Sequence, residues 1–283
     1  MNHCSTHCRV HPSYWVIIVL SCFRGSDDSC LFYTKLDSEH RTHQVWMHML
    51  GTPQDQDVLL FQDDDGLFNV SVGKTLSGEC MIISTESIET SEAYVIFLPP
   101  SLTDANFKAS QDAHLRAVSS KVLVQKREVG LRYDVDHQGN YLFIVTNEGD
   151  AKNGKLMRVA LPPVAERQGS VVGAGVGGSS LQKEHWEEVR PYDPQVEITG
   201  VLPFKRCIAV FGRANGGQKI WIYCPVNGGG HTWKEVLFEE ECYSVNSSNN
   251  HVYDSDIIRV KYSSMLTPQQ VSFARSTWNC LYF

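Results

Sequence analysis

Long apolar runs are missing from this 283-residue chain: the strongest, Tyr14 to Phe23 (YWVIIVLSCF), is ten residues, about half of the ~20 that a membrane-spanning helix needs. It cannot cross a bilayer as a helix. No A-x-A-like small-residue pair follows it before Arg24, so a β-strand rich in Ile and Val is preferred to a signal-peptide core. A dense Lys/Arg block is also absent. With 25 basic against 32 acidic residues and a formal net charge of -7, the chain has no electrostatic footprint for phosphate backbones or anionic lipid, and neither nucleic acid nor membrane is an expected partner. Nine cysteines, at positions 4, 8, 22, 30, 80, 207, 224, 242 and 280, lack the paired C-x-x-C spacing of zinc modules and point to a reducing, cytoplasm-like compartment. Helical periodicity is lacking too, since no segment holds it for twelve residues.

From residue 31 onward the chain carries apolar runs of four to eight residues, rich in Val, Ile, Tyr and Phe and punctuated by Gly, Asn, Asp and Ser, the signature of β-strands. Four runs recur in one order: a short alternating strand, a strongly apolar strand, a third ending in an apolar triplet, and a Val/Leu strand with charges. The clearest copy is LRYDVDH (131–137), YLFIVTN (141–147), KLMRVAL (155–161) and WEEVRPY (186–192). Before it lie FNVSV (68–72), CMIISTES (80–87), AYVIFL (93–98) and KVLVQKRE (121–128). After it lie VEITGVL (196–202), RCIAVFG (206–212), KIWIYCP (219–225) and KEVLFEE (234–240). A partial copy begins at Tyr243 and continues through DIIRVKYSS (256–264).

The first-strand markers Phe68, Leu131, Val196 and Tyr243 stand 63, 65 and 47 residues apart. The two longer intervals each contain a polar, strand-free insert, Pro99 to Ser119 and Pro163 to Glu184. Without these they shorten to 42 and 43, within the roughly 40–50 residues of a four-stranded propeller blade. A four-stranded sheet has two apolar faces to bury, so tandem copies imply stacking on one another. The expected fold is all-β: a partial β-propeller of four to five four-stranded blades over 31–273, with loops at 99–119 and 163–184. Atypical segments flank it, 1–30 with room for one strand and 274–283. Two face-to-face sheets are the competing arrangement.

Tyr33-Thr34, Asp37, His40-Arg41, Val45-Trp46, His48, Leu50-Gly51-Thr52 and Asp57 to Leu60 follow one another as a Tyr-Thr strand, a D-x-x-HR step, a V-W-x-H strand, L-G-T and D-V-L-L. In this pattern residues 31–72 closely resemble the propeller of oligopeptidase B and its prolyl-oligopeptidase relatives. Thr90-Ser91-Glu92, the run TNEGDAKNGKLMRV (146–159), and Tyr262-Ser263-Ser264 with Thr267-Pro268 agree, so the likeness covers residues 31 to 271 in collinear order. The resemblance implies a seven-bladed propeller that caps an α/β-hydrolase domain and acts as a size filter, admitting peptides and excluding folded proteins. It also implies propeller sequence before residue 31, a blade after residue 271 and a catalytic domain, none with a counterpart here. The head NHCSTHCRVH (2–11) and tail RSTWNCLYF (275–283) match nothing in the pattern and are expected to come from a truncated or misassembled gene.

Acyl transfer in that family would need a serine flanked by glycines on a sharp strand-to-helix turn. No G-x-S-x-G occurs in the sequence. The nearest imitation, Gly177-Gly178-Ser179-Ser180, continues into Leu181 and Gln182 and lies in a Gly/Ser loop without a preceding strand, so Ser179 is not taken as a nucleophile. The same glycines make no dinucleotide fingerprint, because no βαβ pattern surrounds them. His3, Cys4, His7, Cys8 and His11 are metal-ligand types, but a terminal tail must be ordered before any bond forms, and no metal site is assigned. Asp63-Asp64-Asp65 and Glu239-Glu240-Glu241 are expected as solvated turn residues. Trp46, Trp186, Trp221 and Trp233 are expected to fill the packing between blades. His137 and His185 flank strands, and no general-base role is assigned to either. No catalytic, cofactor-binding or metal residue is assigned, and no cofactor is expected.

Two functions follow. In the first, the chain is the substrate-gating propeller of a serine oligopeptidase, inactive alone and engaging peptide substrates only with a catalytic domain; in the second, it is a non-enzymatic scaffold that presents loops 99–119 and 163–184 to a protein partner. Four to five blades of a seven-fold design leave open sheet edges, so self-association is expected.

Overall fold

The computed structural model describes residues 22–24, 29–99, 112, 114–118, 121–163, 179–226, 230–275 and 281–282. Their strands form five four-stranded antiparallel sheets, each in unbroken sequence order. The first sheet comprises β1 (Cys22–Arg24), β2 (Cys30–Leu36), β3 (Thr42–Met49) and β4 (Val58–Gln62), and the second β5 (Asn69–Lys74), β6 (Cys80–Glu86), β7 (Ser91–Phe97) and β8 (Val122–Gln125). The third contains β9 (Tyr133–Gln138), β10 (Tyr141–Thr146), β11 (Lys155–Ala160) and β12 (Glu187–Arg190). The fourth contains β13 (Val196–Pro203), β14 (Ile208–Ala214), β15 (Gly217–Val226) and β16 (Gly230–Glu235), and the fifth β17 (Tyr243–Ser247), β18 (Ile257–Ser264), β19 (Gln270–Arg275) and β20 (Leu281–Tyr282). A series of four-stranded meanders is the blade architecture of a β-propeller, as the repeat predicts, and not a pair of facing sheets. No helix among the described residues is long and apolar enough to cross a membrane.

The residue pattern explains the strand order within a sheet. First strands alternate: Val70 and Val72 are buried while Asn69 and Ser71 are exposed, and Tyr133 and Val135 are buried while Asp134 is exposed. Second strands are covered on both faces and read as continuous apolar runs, namely Met81, Ile82 and Ile83 in β6 and Ile208, Ala209 and Val210 in β14.

The sheets group into two compact units. In the first, β5 lies against β1, β2 and β3, and Phe32, Val45, Met47, Val70, Met81 and Ile83 share one core. The insert at 99–119 contributes to this core rather than standing free of it. Its helical turn at 114–118 buries Val118 with these residues, and His114 is fully buried with Nδ1 3.4 Å from Ser29 Oγ. The second insert also returns to this unit: Leu181 is fully buried, and the Lys183 N–H donates to Gln125 Oε1 at 2.9 Å.

In the second unit β13 packs on β9, β10 and β11, and β17 packs on β15. Phe143, Leu156, Ile198, Ile208, Val210 and Trp221 form its core. The fourth strand of the fourth sheet is Gly230–Glu235 rather than the expected 234–240. Pairing Trp233 opposite Tyr223, with ring centroids 4.9 Å apart, sets that register and leaves Leu237 exposed. Strand β1 takes the end of the Tyr14–Phe23 run, and the remainder of that run lies outside the described residues.

Two glycines permit the close approach of one sheet to the next or of one strand to its neighbour. Gly154 has a φ of +76° and a Cβ there would lie 2.9 Å from Ile198 O, on the following sheet. At Gly212 a Cβ would lie 2.0 Å from Glu197 O and 2.9 Å from the Trp221 ring, where a bulge at Thr199 presses β13 onto β14. Gly212→Ala is therefore expected to cost about 1–3 kcal/mol through overpacking. Gly200→Ala, where a Cβ meets nothing within 4 Å, should stay within about 0.5 kcal/mol. Urea denaturation of both variants checks this, and equal midpoints would contradict it.

Candidate functional site

In a four-strand meander, the turn between the second and third strands and the crossover into the next sheet emerge at the same end. One contact recurs there. In the first sheet the turn at 37–41 carries Arg41, whose guanidinium donates to the carbonyls of Phe68 at 2.8 Å and Asp63 at 3.3 Å and is held by Asp37 at 2.8 Å. In the second, Thr90 Oγ1 accepts from Gly130 N–H at 3.1 Å and Ser91 N–H donates to Leu131 O at 3.0 Å. In the third, Asn153 O accepts from Ile198 N–H at 2.9 Å, and Asn153 Nδ2 donates to Pro194 O at 2.7 Å. In the fourth, Gln218 Oε1 accepts from Val245 N–H at 2.7 Å. The first strand of a sheet has one edge without a partner strand, and these contacts satisfy backbone groups on or before it. Asp37, Arg41, Thr90-Ser91 and the run around Asn153 are among the pieces on which the family resemblance rests.

Beside the first clamp, Arg127 stacks 3.5 Å over the Phe68 ring and pairs with Asp63 at 2.6 Å and Glu92 at 3.6 Å. Thr85 Oγ1 donates to the same Asp63 carboxylate. Burial would raise the Asp63 carboxyl, but the hydrogen bonds from Thr85, Arg127 and the Asp65 N–H, with the guanidinium charge, hold it below the ordinary carboxylate range. The expectation that Asp63 is a solvated turn residue is corrected: its side chain is 6% exposed because it anchors Arg127 between two sheets. A second motif cluster joins Tyr33, His48 and Asp57, with Tyr33 Oη donating to Asp57 at 2.6 Å and His48 Nδ1 2.6 Å from the other carboxylate oxygen. Burial and then the Asp57 carboxylate push the Tyr33 hydroxyl upward. Trp46 is half-exposed with the Lys35 ammonium 3.7 Å from its ring centre, so a cation covers it.

The first strands present polar rows: Asp134 and Asp136 on β9, Glu197 and Thr199 on β13, Ser244 and Asn246 on β17. Burial pushes Asp136 up to about 7, and the charge of Asp134 adds to the effect. In the second unit a cleft of about 380 Å³ is lined by Glu197, Thr199, Arg213, Gln218, Lys219 and Asn246. Arg213 lies 3.9 Å from Glu197, and Lys219 is held 2.7 Å from Glu235. Neither histidine nor cysteine lines it. Such a wall can hold a polar chain by hydrogen bonds and charge.

Ser179 opens a short 3-10 turn, Ser179–Leu181, and not a strand-to-helix elbow. Gly177 and Gly178, like His3, Cys4, His7, Cys8 and His11, lie outside the described residues. Glu240 accepts from Thr267 Oγ1 at 2.6 Å, while Glu239 and Glu241 are exposed. His137 is buried with Nε2 2.8 Å from Gly139 O, and His185 is exposed. Trp221 and Trp186 are buried, the latter edge-on to Tyr133 with centroids 5.5 Å apart. Cysteine spacing gave no sign that Cys207 and Cys224 form a disulfide, with Cα atoms 4.4 Å apart. The pairing arises from the β14–β15 register, which the positions in sequence do not reveal.

The family described as prolyl oligopeptidase, N-terminal beta-propeller domain, matches residues 21–274. Among curated proteins, Protease 2 of Moraxella lacunata is 28% identical over 239 residues, covering 84% of this chain and 29% of that protein. Dipeptidyl aminopeptidase BI of Pseudoxanthomonas mexicana is 26% identical over 245 residues, covering 86% of this chain and 29% of that protein. The solved closed form of oligopeptidase B from Trypanosoma brucei, with covalently bound antipain, superposes with a TM-score of 0.74 at 26% identity. It is covered over 33% of its length, against 93% of this chain. Oligopeptidase B from Leishmania major shares the fold with a TM-score of 0.76 at 24% identity, again over 93% of this chain and 33% of that one. The chain thus spans about 29% of the length of the curated relatives it matches.

Replacing Arg127 by Met leaves Asp63 buried without its cation, which is expected to cost about 3–5 kcal/mol. Because the folded state lowers the Asp63 carboxyl, that contribution is present above the unfolded carboxylate pKa and disappears as pH falls through the folded one. Urea midpoints of wild type and Arg127→Met should therefore converge below about pH 4. A gap that stays constant from neutral to acid would contradict the ion-pair account.

Proposed function

Since the chain belongs to the prolyl oligopeptidase N-terminal β-propeller family, we propose that it is the substrate-gating part of a serine oligopeptidase, passing short peptides and holding back folded proteins. The family match over residues 21–274 carries this reading, together with five blade sheets, of which the second to fifth bear polar rows on their first strands. Hydrolysis would be performed by a polypeptide outside these 283 residues, and peptides would be processed only in its company. Rate accelerations of 10⁶ or more need positioned nucleophile, base and oxyanion groups, which a filter does not supply. A reducing, cytoplasm-like setting for this role rests on the cysteine spacing of the sequence. A scaffold that displays its two long inserts is less favoured, because the described parts of both pack into the first unit through Val118 and Leu181.

Self-association belongs to the same proposal. On the fifth sheet Ile258, Val260 and Tyr262 are buried, whereas Val271 and Phe273 are 48% and 38% exposed on the other face beside Lys261 and Arg259. A second copy is the occupant proposed for that face.

Incubating the purified chain with short fluorogenic peptides carrying a basic or proline P1 residue should give no turnover sensitive to a serine-directed reagent, and turnover of that kind would overturn the proposal. Sedimentation velocity should show species heavier than 31.9 kDa as concentration rises, shifting toward monomer in Val271→Ser/Phe273→Ser. A monomer at every concentration would refute association through this face.

A further inference from the structure

Cys207 and Cys224 are not used by the gating reading, yet they occupy a strategic place in the second unit. Cys207 directly precedes β14, and continuing the Ile208–Tyr223 register sets it opposite Cys224 of β15. A Cα separation of 4.4 Å is that of a non-hydrogen-bonded antiparallel pair, where side chains approach most closely. Cys207 is 7% exposed and Cys224 is half-buried, so solvent reaches the bridge from the Cys224 side. The turn 203–207, which joins β13 to β14 and ends at the bridged Cys207, touches both neighbouring sheets. Gln138 Nε2 of the third sheet donates to Phe204 O, and the Phe204 N–H donates to Cys207 O at 2.8 Å. Toward the fifth sheet, the Lys205 N–H donates to Tyr253 O at 3.0 Å, and Lys205 Nζ pairs with Asp254 at 2.6 Å.

The rest of the β14–β15 hairpin is held without the bridge, by a ladder from Ile208–Tyr223 to Ala214–Gly217. Opening the bridge therefore leaves the hairpin paired and unties only its mouth, where Cys207 is also the last residue of the β13–β14 turn that contacts the flanking sheets. We propose that Cys207 and Cys224 form a reversible thiol–disulfide site, oxidised by low-molecular-weight disulfides, which sets how firmly the fourth sheet holds the third and the fifth. In the oxidising direction the Cys224 thiolate attacks one sulfur of a small disulfide and releases one small thiolate. The Cys207 thiolate then displaces the second, so that two protein thiols and one small disulfide become one protein disulfide and two small thiols, with two electrons passing to the small molecule. In a reducing compartment such a pair regulates rather than builds the fold.

The full-length chain equilibrated in oxidised and reduced glutathione tests this. Differential alkylation with peptide mass mapping should find the 207–224 linkage in the oxidised sample and two free thiols in the reduced one. Hydrogen exchange at the Lys205 amide should accelerate about tenfold or more on reduction, while ladder amides of Ile208–Ala214 keep their protection. Cys207→Ser/Cys224→Ser should exchange rapidly at Lys205 in both buffers; should that variant fail to fold, Cys224→Ser alone serves with the same readout. No linkage under oxidising conditions would overturn the proposal, as would linkage without a change at Lys205, or a redox response that persists in the serine variants.

Discussion

The constraint on which this fold depends is the unpaired edge of each sheet's first strand. A four-stranded meander pairs its inner strands on both sides but leaves the first with backbone N–H and C=O groups facing away from its neighbour. Here Asn153 and Gln218 supply partners to Ile198 on β13 and Val245 on β17, while Arg41 and Thr90 hold Phe68 ahead of β5 and Gly130 in the segment after β8, each on or next to the turn between the second and third strands of its own sheet. The donors and acceptors differ chemically, from guanidinium to hydroxyl, backbone carbonyl and side-chain amide. What they share is their position in the blade, which is why the contact recurs while the residue does not.

This division of labour leaves the exposed side chains of the first strands available for function. Because Val70, Val72, Tyr133 and Val135 bind the core, the alternate positions carry Asn69, Ser71 and Asp134 at no expense to packing. The cleft bounded by Glu197, Arg213 and Asn246 has the same character, with both signs of charge and each cation near an acidic side chain.

Charged groups in the sheet interfaces act in a different way from those on the surface. Asp63 is removed from water and Arg127 is partly covered, so their attraction must offset desolvation, and it does so with an extra hydrogen bond from Thr85 and stacking on Phe68. Its neighbour Asp64 is exposed. Three consecutive aspartates therefore differ in role although nothing in the sequence separates them.

Local pattern alone settled the strand content, the order within each blade and the number of blades to within one, because alternating and continuous apolar runs report directly on one-sided and two-sided burial. The motif residues Tyr33, Asp37, Arg41, His48 and Asp57 could be singled out from the chain, but not their use: the Tyr33–Asp57–His48 cluster and the Arg41 clamp bring together residues 9 to 27 positions apart. Still more remote were Arg127 with Asp63, 64 positions apart, and the helical turn that buries His114 under Ser29. The Cys207–Cys224 bridge depended on register, and the true fourth strand at 230–235 on one aromatic pair. Periodicity is a property of neighbours along the chain and is visible there. Which polar group meets which across two sheets is decided by how the sheets stack, and only the tertiary structure contains that distance.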